Sequence, residues 1–306
     1  MRKRFSLFLA ALFLLLVGLS PSAPASGSPA RVVAIGAPAV EMLCALGLED
    51  RLIARSSWET FPPSILDLPE VGSPYQPDLE RLLLLKPDLV ILDGRLGLLA
   101  GQMERCGIEV LPVEAYNPDE VVPAVRMLAA RFDCRERGEE LAGDLLRIAE
   151  ATARIVRRVP EEERAAGLMF TGLFDMYCVA PESGCTLLEN AGAVNLAAGM
   201  GQPFPLISLE WLAFHAPDFL LVPQKLSEGA ERKREEAGRR LSRALSGRAR
   251  LIFMEEELTF GLRSFLGALR LAAELYPELI RPDAVEAEQA RFMNRYFPKA
   301  LEKAVP

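Results

Sequence analysis

The chain has 306 residues, of which 50% are hydrophobic and 25% charged, and its formal net charge is −7. This length and apolar fraction can supply two hydrophobic cores of ordinary size. The negative charge opposes contact with nucleic-acid phosphates and with anionic membrane surfaces. Nucleic acid and membrane surfaces are therefore not predicted as partners.

The first 25 residues have the pattern of a secretory signal peptide. Arg2, Lys3 and Arg4 precede an apolar run over residues 5–19, and Ala23-Pro24-Ala25 matches a cleavage site. The run has about 15 residues, fewer than the roughly 20 that cross a bilayer. No cysteine precedes Cys44, so a lipoprotein is not predicted. Removing residues 1–25 removes three positive charges and no negative ones, which changes −7 to −10. A monomeric periplasmic protein is expected.

Alternating apolar and amphipathic segments predict a first α/β lobe over residues 31–133. A fully apolar strand such as 89–92 is typical of a sheet that is covered on both faces. The segment 58–75 contains four prolines and is predicted to be a loop. The predicted strands are 31–35, 52–54, 89–92 and 109–113, and the predicted helices are 39–46, 77–85, 96–106 and 118–132.

One long amphipathic helix is predicted over 136–158, inside a connecting segment 134–160. Leu141, Leu145 and Ile148 recur at intervals of three and four, and a helix of this length covers roughly 35 Å. It is long enough to join two lobes and stiff enough to limit their hinging. A second lobe is predicted over 161–306. Its predicted strands are 167–170, 176–180, 219–223 and 251–254, and its predicted helices are 185–191, 209–215, a highly charged 228–245, 262–276 and a last one after residue 283.

A repeat relates the two predicted lobes. Leu79-Glu80, Leu82 and Pro87-Asp88 precede an apolar run, and the same residue types occur 130 positions later as Leu209-Glu210, Leu212 and Pro217-Asp218. A single duplication at this distance indicates two similar lobes rather than a solenoid, whose period is 20–50 residues. Small ligands bind in the clefts between such lobes. The repeat therefore predicts a ligand cleft.

The ordered set of motifs resembles the periplasmic binding proteins of iron-chelate and cobalamin ABC importers. The resemblance covers nearly all of the chain after residue 30. The matching segments are Val71-Gly72, Pro77-Asp78-Leu79-Glu80, Lys86-Pro87-Asp88-Leu89, Tyr177-Cys178-Val179-Ala180, Ala191-Gly192-Ala193-Val194-Asn195-Leu196 and Leu275-Tyr276-Pro277-Glu278.

The resemblance implies two Rossmann-like α/β lobes with central sheets, joined by one rigid helix, with the ligand between them. It implies capture of a metal chelate (a ferric siderophore or haem) or a corrinoid, and delivery to the permease subunits of an ABC importer. In the family a glutamate on each lobe docks onto arginines of the membrane subunits, and Glu80 and Glu210 match those positions. Exposed salt bridges of this kind keep docking reversible.

Loops that follow the strands on the facing edges are predicted to line the cleft. Flat rings at Trp58 and Tyr75 suit a macrocycle or an aromatic chelate, and Arg95 and Arg263 suit ligand carboxylates. Some haem-binding relatives use a tyrosine from the loop region of Tyr75 as an iron ligand. Trp211 is interpreted as a core residue. The candidate ligand-binding residues are Trp58, Tyr75, Arg95, Phe174, Met176, Phe260 and Arg263, with Pro38, Asp175, Trp211 and Gln224 also nominated.

The cysteines and the single histidine limit the chemistry. Cys178 and Cys185 are predicted to form a disulfide around a short loop, with two reduced core thiols as the alternative. His215 is predicted to cap or pack at a helix end. One imidazole does not suffice for bare zinc or manganese. No resident metal or cofactor is predicted.

Two other functions remain open from the sequence. An exported sensor for the same ligands differs from a transport protein only through the paired glutamates. A hydrolase is disfavoured because no Gly-x-Ser-x-Gly elbow is present to join His215, although Asp175 and Glu210 are a conceivable carboxylate pair. The sequence predicts no enzyme, and it does not determine which ligand is bound.

Overall fold

The computed structural model describes residues 27–115, 117–171, 176–224, 247–298 and 300, and also 232, 235, 236, 238, 239, 241, 242 and 245. The predicted signal peptide lies outside these residues, and so does most of the predicted charged helix 228–245. None of the helices in this described part is long and apolar enough to cross a membrane.

The first lobe alternates strands and helices in the predicted order. Apart from a two-residue hairpin made by β3 and β4, the elements agree with the prediction within a few residues. The elements are β1 Val32–Ile35, α1 Ala37–Ala45, β2 Leu52–Arg55, β3 Gly72–Ser73, β4 Gln76–Pro77, α2 Leu79–Leu85, β5 Leu89–Asp93, α3 Gly97–Arg105, β6 Val110–Val113 and α4 Pro118–Arg131.

The connecting helix and the second lobe follow. The helix α5 is Arg135–Val156, close to the predicted 136–158. The later elements are β7 Ala166–Met169, α6 Leu187–Asn190, β8 Val194–Asn195, α7 Leu209–His215, β9 Phe219–Gln224, β10 Arg250–Glu255, α8 Ser264–Leu275 and α9 Pro282–Tyr296.

Both lobes contain a parallel four-stranded sheet with the same strand order. The first sheet runs β2-β1-β5-β6 and the second β8-β7-β9-β10, so each has the order 2-1-3-4 within its own lobe. In each sheet the first strand pairs with the strand of the repeat, Val32 opposite Leu89 and Gly167 opposite Phe219. The predicted fold class, two α/β lobes with central sheets, is confirmed.

The repeated motif has the same local structure in both lobes. Leu82 and Leu212 are fully buried on the short helices α2 and α7. Both helices end in a left-handed residue, Lys86 with φ 49° and Ala216 with φ 45°. A proline and an aspartate then lead into the strand.

Each aspartate of the motif holds the start of the neighbouring strand. Asp88 accepts hydrogen bonds from the backbone N–H groups of Ala30 and Arg31 at 3.0 and 2.9 Å. Asp218 accepts one from Ala166 at 2.8 Å. The Pro-Asp pair therefore fixes the first strand of each sheet beside the third, which explains its recurrence at the same position.

The core is divided by the two sheets. Alternate residues of each strand face opposite sides of a sheet, so that Leu168 and Leu220 belong to an outer cluster of the second lobe. Val33 and Val90 belong to an outer cluster of the first lobe. The inner faces of both sheets share one further cluster with Leu145 and its neighbours on α5. Beside one outer core in each lobe, which matches the two cores that the chain length allows, there is a third that both lobes share.

The last helix, α9, is tied to α5 by a buried carboxylate. Asp144 accepts hydrogen bonds from Tyr296 at 2.8 Å and Arg291 at 2.6 Å, and Arg295 lies 3.0 Å away. The following residue, Phe297, contacts the ring of Phe61 in the first lobe, with centroids 5.0 Å apart. The C-terminal helix thus packs onto both the connecting helix and the first lobe. The predicted lobe limits, 31–133, 134–160 and 161–306, stay a prediction.

Three local predictions need correction. The helix predicted to begin at Pro77 begins at Leu79, because Asp78 caps it by accepting a hydrogen bond from the N–H of Arg81. The segment 176–180 forms isolated bridges at Tyr177 and Cys178 rather than a strand. The two-residue strand β8 was not predicted, because it is too short to show periodicity.

The predicted disulfide between Cys178 and Cys185 is not formed, and the alternative of two reduced thiols holds. Cys178 lies in the outer cluster of the second lobe and Cys185 in the shared cluster, on the other face of the sheet. Cys185 donates to the carbonyl of Thr259 at 3.4 Å, and burial raises the pKa of its thiol to about 11. Closeness in sequence did not bring the two thiols together.

Candidate ligand-binding cleft

A cavity of about 290 Å³ lies between the two lobes. It is formed at the carboxyl ends of the strands, where Ile35 and Asp93 of the first sheet meet Met169 and Pro223 of the second. Loops at this edge of parallel sheets are the usual ligand sites of α/β proteins. The predicted cleft is therefore present, and it is lined from both lobes.

Two aromatic rings, Trp58 and Tyr75, form the rim on the first lobe. Trp58 is 53% exposed and Tyr75 64% exposed. Their ring centroids are 5.4 Å apart in an edge-to-face arrangement, and both residues line the cavity. Exposed rings that are held against each other present a rigid apolar surface to a ligand.

Arg95 lines the cavity but already has protein partners. Its guanidinium makes two hydrogen bonds with Asp93, at 3.2 and 3.0 Å. It also donates to the backbone carbonyl of Ser183 in the second lobe at 2.9 Å. Nearby, the Asn117 side chain accepts a hydrogen bond from the N–H of Thr186 at 2.9 Å. These contacts join the lobes along one side of the cleft.

Arg263 does not present its charge to the cavity, contrary to the role predicted for it. It is 8% exposed and forms two hydrogen bonds, at 2.9 and 2.8 Å, with Glu41 of helix α1. Its guanidinium also lies 3.9 Å from the ring centroid of Phe61. Since both carboxylate oxygens and the ring face are occupied by one guanidinium, Arg263 is a buried link between the lobes.

A backbone contact reinforces this junction. Gly261, two residues before Arg263, has φ +69°, and a Cβ there would lie 3.2 Å from the Pro38 side chain of the first lobe. A left-handed backbone conformation and the close approach both favour glycine. The junction thus joins the start of α1 to the segment that precedes α8.

Carboxyl groups are the most numerous charged groups of the cavity lining. Glu59 is 1% exposed and accepts a hydrogen bond from the N–H of Gly36 at 3.0 Å. Burial raises the pKa of the Glu59 carboxyl and that of the Glu41 carboxyl. The acidic residues of the lining are Glu41, Glu59, Asp93, Glu256 and Glu257, and Arg95 is the one basic residue among the described lining residues.

The other predicted ligand-binding residues fall into three groups. Pro38 and Phe260 line the cavity, as do Trp58, Tyr75 and Arg95. Met176 and Trp211 instead pack against the outer cluster of the second lobe, the latter as predicted. Gln224 is buried at the end of β9, outside the lining. Phe174 and Asp175 lie outside the described residues.

The acidic lining was not predicted from the sequence. Glu41 stands alone in the apolar helix segment APAVEMLCA, where a charge can be buried only with a partner. That isolated charge was a signal that could have been used. Glu59 lies in a loop, and Glu256 and Glu257 begin a three-residue 3-10 helix. Neither segment has a comparable pattern, so that only the fold brings them together.

The two glutamates that the resemblance links to docking occupy equivalent exposed positions. Glu80 and Glu210 are the second residues of α2 and α7. Their helices are capped alike, by the side chains of Asp78 and Ser208. Near helix N-termini their negative charges are favourable. A hydrogen bond with its own backbone, and to a smaller extent one with the Ser208 side chain, lowers the pKa of the Glu210 carboxyl.

His215 packs against its own helix and lies outside the cavity lining. Its ring stacks on Trp211 with centroids 3.7 Å apart, and its Nδ1 lies 2.9 Å from the Trp211 carbonyl oxygen. This confirms the predicted packing at a helix end. Within the described residues no group of three or more His, Cys, Asp or Glu side chains could hold a metal ion.

The match to known proteins agrees with this architecture. Residues 32–241 match the family model described as periplasmic binding protein. The chain belongs to this family of substrate-binding proteins. It is 28% identical over 221 residues to the vitamin B12-binding protein of Pectobacterium carotovorum, which covers 69% of this chain and 79% of that one.

Solved structures with different ligands share the fold. The periplasmic haem-binding protein of Pseudomonas aeruginosa superimposes with a TM-score of 0.72 at 24% identity, over 82% of this chain and 94% of that one. The molybdate periplasmic binding protein of a Haemophilus influenzae ABC transporter gives 0.74 at 17% identity, over 88% and 93%. At these identities the likeness establishes the two-lobed fold and not the ligand.

Proposed function

We propose that this protein captures a corrinoid or a related metal chelate in the periplasm and delivers it to an ABC importer, without catalysing a reaction. The observation that carries the proposal is the cleft between two matched lobes, with Trp58 and Tyr75 at its rim and carboxyl groups inside it. Family membership and the similarity to vitamin B12-binding proteins support it.

The charge of the lining favours a corrinoid over an anionic ligand. Five carboxyl groups and one guanidinium line the cavity, and that guanidinium is held by Asp93 and Ser183. Asp93 is paired with Arg95, and Glu41 with the buried Arg263. The described lining therefore offers haem propionates, catecholate siderophores and molybdate no cation without a carboxylate partner. Corrinoids carry peripheral carboxamides, whose N–H groups can donate to carboxyl oxygens.

The exposure of the rim favours a large, flat ligand. The cavity of about 290 Å³ is at the small end of typical ligand pockets, which measure roughly 300–1,000 Å³. A macrocycle therefore extends past the cavity onto Trp58 and Tyr75, which are more than half exposed. Stacking against these rings removes apolar surface from water on both partners.

The proposed function also includes export to the periplasm and docking onto the importer. Residues 1–25 act as a cleaved signal peptide, and the mature protein is a periplasmic monomer. Glu80 and Glu210 then dock onto basic residues of the permease subunits. Their equivalent places on α2 and α7 give each lobe one exposed acidic contact, which fixes the orientation of the complex.

Ligand identity is tested by thermal unfolding with cyanocobalamin, haem, a ferric catecholate siderophore and molybdate. A ligand that binds only the folded state raises the Tm, by an amount that grows with its concentration over Kd. We expect stabilisation by cyanocobalamin and none by molybdate. Stabilisation by haem or molybdate alone would contradict the corrinoid assignment, and no stabilisation by any of them would contradict chelate capture.

Delivery is tested by charge reversal. The variant Glu80→Lys/Glu210→Lys is expected to lose ligand uptake in cells while its Kd for cyanocobalamin stays unchanged, because both positions lie outside the cavity lining. Uptake at the normal rate would instead favour an exported sensor. A weakened Kd would mean that these glutamates act in ligand binding rather than docking.

A further inference from the structure

Each helix of the repeated motif carries a large apolar side chain that is almost completely exposed. Leu84 on α2 is 82% exposed and Phe214 on α7 is 85% exposed. They are separated by 130 positions, as are Glu80 and Glu210. Exposed apolar residues scattered singly are ordinary, but the same placement in both copies of a duplicated motif is not explained by scatter.

Each apolar side chain shares a helix face with the glutamate of its own lobe. Leu84 follows Glu80 by four residues, and Phe214 follows Glu210 by four, so each pair lies one above the other on its helix. The opposite face of each helix carries a buried leucine, Leu82 or Leu212. The two lobes therefore present the same two-residue surface, one carboxylate followed by one apolar side chain.

The surface is connected to the cleft in the same way on both lobes. Pro74 and Phe204 both line the cavity, and they too are 130 positions apart. Glu80 follows Pro74 by six residues, and Glu210 follows Phe204 by six. A partner that contacts both helices is thus close to the segments that border the ligand.

We propose that Leu84 and Phe214 are paired apolar anchors that insert into the two permease subunits of the importer, next to the salt bridges of Glu80 and Glu210. This inference rests on the proposed delivery function. The glutamates supply orientation and are weakened by salt, whereas burial of the two apolar side chains supplies affinity that does not depend on ionic strength.

The arrangement fits a membrane complex of two like subunits better than a lipid surface or a second copy of this chain. Two equal patches, one on each lobe, match a partner with two equal sites. The net charge of −7 and the neighbouring glutamates oppose contact with anionic lipid. In a self-associated dimer Glu80 and Glu210 would meet like charges across the interface.

The test uses the full-length mature protein and the importer of the same bacterium, purified in nanodiscs. Binding is measured for wild type, Leu84→Ser, Phe214→Ser and the double variant at low and high salt. We expect each single change to raise the Kd for the importer about tenfold, and the double change to raise it further. These factors are expected to be similar at both salt concentrations. Glu80→Gln/Glu210→Gln is expected to reduce the salt dependence instead.

The matched control is Leu98→Ser on α3, because Leu98 is 91% exposed and lies outside the motif. It is expected to bind the importer like wild type, and all variants are expected to keep the wild-type Tm. If wild type binds and the glutamate variant loses affinity while Leu84→Ser/Phe214→Ser does not, the anchors are refuted and delivery stands. If wild type does not bind the importer, delivery itself fails.

Two further measurements test whether a second copy of this chain or a lipid surface covers Leu84 and Phe214 instead. Sedimentation of wild type and of Leu84→Ser/Phe214→Ser reports self-association, and flotation with phosphatidylglycerol vesicles reports lipid binding. We expect both proteins to be monomeric and unbound to vesicles. A dimer or a vesicle-bound fraction that disappears in the double variant would overturn the proposal.

Discussion

The two lobes are alike in their scaffold and different in what they contribute to the cleft. Both have the strand order 2-1-3-4, a short helix with a buried leucine, a left-handed residue and the Pro-Asp link. The first lobe contributes the aromatic rim of Trp58 and Tyr75, whereas the second contributes Phe204, Phe260 and backbone groups such as the Ser183 carbonyl. The repeated parts build the frame and the two short helices α2 and α7, and loops outside the repeat make most of the difference in the cavity lining.

The largest expected effect is at the junction where the lobes meet. Arg263→Met leaves the Glu41 carboxylate buried without its partner, which costs about 3–5 kcal/mol of the free energy of unfolding. The double variant Glu41→Leu/Arg263→Met is expected to recover most of this loss, since an apolar pair replaces the ion pair. Urea unfolding at pH 7 measures both. A double variant as unstable as the single would mean that the junction depends on more than charge.

The repeated Pro-Asp link can be compared directly between lobes. Asp88→Ala removes two hydrogen bonds to a charged acceptor and Asp218→Ala removes one. A hydrogen bond to a charged group contributes about 1.5–3 kcal/mol to the free energy of unfolding, and solvent exposure reduces this contribution. We expect Asp88→Ala to lower the urea midpoint more than Asp218→Ala. Equal losses would show that the second hydrogen bond of Asp88 contributes nothing measurable.

Ligand affinity tests whether the cavity-lining loops of the first lobe contribute more to binding than those of the second. Trp58→Ala is expected to weaken cyanocobalamin binding by about 1–3 kcal/mol, because a rim ring loses its stacking surface. Phe260→Ala on the second lobe is expected to have a smaller effect. Titration calorimetry measures both, with Tyr177→Ala as a control for an exposed ring outside the cavity. An unchanged Kd for Trp58→Ala would remove this ring from the site.

The smallest expected effect is on the pH dependence of stability. It concerns Asp144 on the connecting helix α5, which holds the last helix α9. Burial alone would raise the pKa of Asp144, but the Tyr296 hydrogen bond and the charges of Arg295, Arg291 and Arg147 outweigh it, so that the pKa lies below its usual value. A lowered pKa contributes stability above the unfolded value of about 3.9, and this contribution is lost as the pH falls through the folded value.

The variant Asp144→Asn isolates this contribution. The difference in urea midpoint between wild type and variant is expected to be constant above about pH 5 and to shrink below about pH 4. Unfolding curves between pH 7 and pH 2.5 measure it. A difference that does not change with pH would show that the Asp144 charge does not stabilise the contact between α5 and α9.

Helices with an apolar stripe and clear end signals were predicted closely, and two-residue strands were not. The helix Leu209–His215 was predicted at its observed limits, and the long helix α5 within a few residues, because each has an apolar stripe and clear end signals. The hairpin of β3 and β4 and the strand β8 were missed, since two-residue strands depend on long-range pairing.

The sequence by itself determined the duplication, the order of the strands and helices and the aromatic rim, because these follow from local patterns and from spacing along the chain. Only the tertiary structure decided the pairing of Arg263 with Glu41, 222 positions away, the separation of Cys178 from Cys185 and the acidic lining of the cleft. Such contacts depend on which segments two folded lobes bring together, and local patterns contain no more of this than the isolated charge of Glu41.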